Sequence, residues 1–220
     1  MLKKEQYIEQ LQRRLCGGEP TEELASRYHP MIIEKEVDSV YESVLQSLFN
    51  QNIKGGNFAV LDAYTRTFTG VPIQYDTVQG CYYSELPKPV IVLNSPVTGT
   101  GNYGVRTISP EKAKSSAFVP IDNNADVVFD VLEVNMISLD PTYYVEGIRV
   151  IYNFHGANFK EGDTLLMKIV PTFSFLADDD YVTMPEIMTK SGMLTVGDEV
   201  FRRMVGMPAE KLDNSNNPTQ

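Results

Sequence analysis

Pro30-Met31-Ile32-Ile33-Glu34-Lys35-Glu36-Val37-Asp38-Ser39-Val40-Tyr41-Glu42-Ser43-Val44-Leu45-Gln46-Ser47-Leu48 sets apolar side chains at Ile33, Val37, Val40, Tyr41, Val44, Leu45 and Leu48. These intervals trace one face of an α-helix, held for about five turns. Pro30 suits the first turn, where a missing N–H costs nothing. Asn50, Asn52 and Gly55-Gly56 end the pattern. At ~1.5 Å per residue the helix is about 30 Å long, enough to span a small domain. A helix with a single apolar stripe draws its stability from whatever covers that stripe, so the segment predicts a packing partner.

Around this helix the chain falls into three regions. Upstream, Tyr7, Ile8, Leu11 and Leu15 recur at helical spacing, Arg13 and Arg14 favour the negative end of the helix dipole, and Gly17-Gly18 stops the helix. Downstream, residues 57–181 read as successive strands. Residues 58–68 alternate, 90–93 form a short apolar run, and 127–137 and 143–154 are long and rich in β-branched and aromatic residues. Residues 165–175 are expected to complete a hairpin with 143–154 across a Gly- and Asn-containing loop, Pro171 marking an edge or bulge. The third region, 182–206, reads as helix again. Pro185 stands in its first turn, and Ile187, Met188, Leu194, Val196, Val200, Phe201, Met204 and Val205 follow. Residues 207–220 are polar and Asn-rich, with no core-forming pattern.

The predicted class is α+β. N-terminal helices (1–56) and a C-terminal helix (182–206) form a helical bundle, 57–181 form an antiparallel β-sandwich or small β-barrel, and 207–220 form an extended tail.

Composition narrows the function. The chain has 220 residues, 42% hydrophobic and 22% charged, as ordinary globular domains do. No stretch approaches the ~18 apolar residues of a membrane span. Met1-Leu2-Lys3-Lys4-Glu5-Gln6 lacks the apolar core of a signal peptide, so folding in a cytoplasm is expected, with Cys16 and Cys81 as free thiols. A net charge of −10 argues against tight nucleic-acid binding, which needs clustered Lys and Arg. An acidic channel would instead let a duplex slide past.

Candidate chemistry is weak. Gly99-Thr100-Gly101-Asn102-Tyr103-Gly104 matches the dinucleotide fingerprint, but Val105-Arg106-Thr107-Ile108-Ser109-Pro110 after it reads as a strand rather than the helix that would receive a pyrophosphate. Asp178-Asp179-Asp180 carries carboxylates that suit a hard cation, yet no EF-hand spacing surrounds it, and acids before a helix start favour its dipole in any case. His29 and His155 have no neighbouring nucleophile, triad or zinc pattern. Tyr82-Tyr83 and Tyr143-Tyr144 could form a carbohydrate platform, although strand aromatics more often pack across strands. No catalytic, cofactor-binding or metal-binding residue is therefore expected.

One likeness covers most of the chain in order. Lys4-Glu5-Gln6-Tyr7-Ile8 through Leu15-Cys16-Gly17-Gly18, then Tyr144-Val145-Glu146-Gly147-Ile148-Arg149-Val150-Ile151-Tyr152, Leu165-Leu166-Met167-Lys168-Ile169-Val170-Pro171 and Asp178-Asp179-Asp180-Tyr181-Val182-Thr183-Met184-Pro185 resemble ring or connector proteins of crAss-like and other podophages. The resemblance implies a structural virion protein with no catalytic residues. It would form a closed, twelve-fold homo-oligomeric ring at the capsid–tail junction, beside the portal and other ring or tail proteins, with genomic DNA passing through unbound. Subunits of such a ring meet heterologously. Ile33, Val37, Val40, Val44 and Leu48 are then expected at the subunit interface, and Leu212, Asn214, Asn216 and Asn217 in a tail docked on a neighbour. The alternative is a carbohydrate- or receptor-binding β-module of a phage tail, using Tyr82, Tyr83, Tyr143 and Tyr144.

Overall fold

A computed structural model of the chain describes residues 2–53, 58–93, 104–112, 116–121, 141–154, 157–189 and 192–206. The chain is α+β and divides into two compact units, residues 1–64 with 172–220 and residues 65–171. The expected boundaries at 56/57 and 181/182 shift inward, because segments read as strands at both junctions belong to the first unit.

In unit 1, β1 (Leu2–Lys3) leads into α1 (Lys4–Cys16), then α2 (Glu22–Arg27) and α3 (Pro30–Ile53). Gly17 ends α1 in the left-handed conformation, φ 72°, and the Gly18 N–H bonds the Arg13 carbonyl. His29 caps α3: its carbonyl accepts from the Ile32 and Ile33 N–H groups, and its Nδ1 from the Met31 N–H. Residues 58–64, expected as the start of a strand, form a 3₁₀ helix, Phe58–Tyr64. Leu61 is fully buried there, and Tyr64 meets Tyr41 edge-on at 6.4 Å. A second 3₁₀ turn, Phe173–Phe175, stands where the strand 165–175 was expected to end.

The C-terminal region departs most from expectation. After β10 (Tyr181–Val182), residues expected as helix form an antiparallel hairpin, β11 (Glu186–Thr189) with β12 (Gly192–Thr195), and only Val196–Met204 is helical, here α4. The start signal is Thr195 rather than Pro185. The Thr195 hydroxyl accepts from the Asp198 N–H at 3.1 Å, an N-cap, and donates to the Asp198 carboxylate at 2.8 Å. Gly192, at φ 125°, lies in a region that a helix does not visit.

The apolar stripe of α3 is covered inside unit 1, by α1, α4, both 3₁₀ helices and β11. The decisive contact is electrostatic. Lys4, 4% exposed, donates from Nζ to the Ser174 and Leu176 carbonyls at 3.1 and 3.0 Å and pairs with Glu34 at 2.6 Å. Phe173, fully buried beside it, lies between Tyr7 (6.3 Å) and Tyr41 (5.8 Å). Asp38 adds two bonds to Ser174, at N and Oγ.

Unit 2 holds two sheets. One has the strand order β2 (Arg66–Pro72), β9 (Thr164–Ile169), β5 (Val105–Pro110). The other runs β3 (Gln74–Asp76), β4 (Cys81–Glu85), β8 (Arg149–Asn153), β7 (Thr142–Glu146), β6 (Val119–Pro120). The chain enters and leaves the unit on paired strands, Arg66 opposite Ile169. Val71, Ile108, Leu165, Met167 and Ile169 of the first sheet share one core with Tyr143, Val150 and Tyr152 of the second.

Three pairings differ from the sequence reading. Residues 143–154 are not one strand but the hairpin β7–β8, turning at Gly147-Ile148, where Gly147 takes a positive φ of 60°. The 165–175 segment pairs not with that hairpin but between β2 and β5. A central position explains why Leu165, Leu166, Met167 and Ile169 are all buried, with Thr164 and Lys168 left exposed. Residues 90–93 make a single bridge, Val90 to Pro171, with Ile91 and Leu93 buried. The expected strand 127–137 lies outside the described residues.

Lys4→Met should destabilise unit 1 by about 2–3 kcal/mol, since Glu34 and two carbonyls lose a buried cation; urea unfolding measures it, and an unchanged midpoint would mean that the node contributes nothing. A pH effect follows at α4. The Asp198 carboxyl is held below its usual range, chiefly by the Thr195 hydroxyl and further by Arg14, 2.8 Å away. A depressed carboxylate pKa adds stability above the unfolded value of about 3.9 and loses it as pH falls through the folded value. Acid titration of unfolding should therefore show a loss below about pH 4 that Asp198→Asn flattens.

Candidate functional site

The structure separates the residues that the sequence had grouped. Ile33, Val37, Val40 and Val44 are 0% exposed within a single chain, so they are core and not the subunit interface expected of them. Leu48 is half-buried on the same helix. The stripe did need a partner, and other segments of the same chain supply it, α1 and the first 3₁₀ helix together with the C-terminal elements. The tail residues Leu212, Asn214, Asn216 and Asn217 lie outside the described residues.

The four tyrosines cannot make one platform. Tyr75, Tyr82, Tyr152 and Tyr143 stand directly opposite one another across β3, β4, β8 and β7 and form one cross-strand row. Tyr143 and Tyr152 are buried in the core, and burial pushes both phenols well above their ordinary range. Tyr82 packs on Tyr75 (4.9 Å) and Phe154 (5.1 Å). Successive strand residues point to opposite faces, so Tyr83 and Tyr144 belong to the other side of the sheet. There Tyr83 donates to Gln74 Oε1 at 2.7 Å and lies under the Arg149 guanidinium at 4.4 Å. Arg149 also pairs with Asp76 at 3.2 Å. The backbone N–H groups of Gln79 and Val78 hold the Asp76 carboxyl below its usual range, with Arg149 adding to the effect. These groups satisfy one another, which makes the cluster a brace between strands.

The remaining candidates also have structural work. Asp178 and Asp180 give their carbonyls to the Glu5 and Lys4 N–H groups, closing the start of α1, and the Asp180 carboxylate accepts from the Ala177 N–H. Among the described residues no group of three His, Cys, Asp or Glu side chains could hold a metal ion. Gly104 leads straight into β5, so no helix follows the glycine-rich stretch; Gly99 to Tyr103 and His155 lie outside the described residues. Cys16 and Cys81 are free thiols, and burial raises the pKa of Cys81. No described helix is long and apolar enough to cross a membrane.

What the sequence reading missed is a set of exposed apolar side chains on unit 1. Met31 (64%) and Ile32 sit in the first turn of α3, off the buried stripe. Phe175 lies between the two residues whose carbonyls Lys4 holds, and Tyr181, 59% exposed, pairs with Lys3. Met193 projects from β12. Their apolar character was visible in the sequence; their exposure follows only from which face each element buries. Compared with known proteins, the chain matches no family model, no curated protein and no solved structure.

Two substitutions separate core from surface. Val40→Ala should lower the stability of the chain by about 2 kcal/mol at any protein concentration, as a core cavity does; a loss seen only where the protein self-associates would return Val40 to an interface. Tyr143→Ala should cost about 3 kcal/mol, read from the urea-unfolding midpoint, and a near-neutral result would place Tyr143 outside the core.

Proposed function

We propose that this chain is a non-enzymatic structural subunit of a tailed-phage particle, forming a closed connector ring of its own copies between portal and tail. The observation that carries the reading is the exposed apolar surface of unit 1, where Met31, Ile32, Phe175, Tyr181 and Met193 stand in solvent. Exposed apolar surface is ground that another chain can cover, and copies of one chain in a ring meet through two different patches. The resemblance of several segments, in order, to podophage connector proteins supports the same reading. A net charge of −10 fits a lumen that DNA passes without specific binding. The ring is twelve-fold by the likeness, its partners are the portal and adjoining ring or tail proteins, and its place is the capsid–tail junction of the virion.

Native mass measurement and negative-stain imaging of the purified protein, alone and with portal, should give closed multi-copy rings. Met31→Asp combined with Phe175→Asp should leave only monomers while moving the unfolding midpoint by no more than roughly 0.5 kcal/mol, as surface changes do. A strictly monomeric wild-type chain that never joins portal-containing particles would overturn the proposal.

A further inference from the structure

We draw no further inference here: the strongest candidate, the exposed apolar side chains Met31 and Ile32 at the start of α3 with Phe175 and Tyr181 on the segment held by Lys4, belongs to the surface already used above, and nothing in the structure shows what covers it.

Discussion

A buried ammonium organises unit 1. Taking a cation out of water is costly unless it is paired and hydrogen-bonded, and Lys4 is satisfied only when three distant segments meet. Its own helix brings the charge, α3 brings Glu34, and the 3₁₀ turn brings the carbonyls of Ser174 and Leu176, partners 170 and 172 residues away in sequence. The same arrangement seats Phe173 against Tyr7 and Tyr41. Unit 1 is therefore discontinuous in a strong sense. Its first 64 residues hold the long helix and its apolar stripe, but the cover for much of that stripe arrives after the whole of unit 2 has been synthesised.

That topology turns an apparent demand for other subunits into an internal one. The stripe through Ile33, Val37, Val40 and Val44 is closed by the chain's own return, and α4 is held in place by charge as well as by packing. Arg14 pairs with Asp198 and lies 4.7 Å from the Phe201 ring, while Arg203 pairs with buried Glu199 and reaches Glu36 at 3.8 Å. What stays outside is a smaller set of apolar side chains on the first turn of α3 and on the returning segments. The stripe itself is closed to any partner, because its side chains are already buried within the chain.

Unit 2 obeys a different constraint, the alternation of side chains along paired strands. One register places Tyr75, Tyr82, Tyr152 and Tyr143 in a single row and sends Tyr83 and Tyr144 to the opposite face. Adjacent tyrosines that look like a binding platform in the sequence are thereby divided between core and brace. Arg149, stacked on Tyr83 and paired with Asp76, ties the β3–β4 hairpin to β8 on that second face.

The sequence by itself determined the local features with a local cause: α1 and its Gly17 stop, α3 and its buried face, the strand that follows Gly104, and the α+β class. It also carries the N-cap signal Thr195-x-x-Asp198, which competes with Pro185 as a helix start. Only the tertiary structure decided what covers α3, that residues 165–169 lie between β2 and β5, and that 143–154 fold back at Gly147. Periodicity says which face of an element is apolar but not which other element meets it, because one apolar stripe is satisfied as well by a distant segment of the same chain as by a neighbouring copy. That choice rests on contacts such as Lys4 with Ser174 and Leu176, whose partners are unrelated in sequence and meet only when the chain closes on itself.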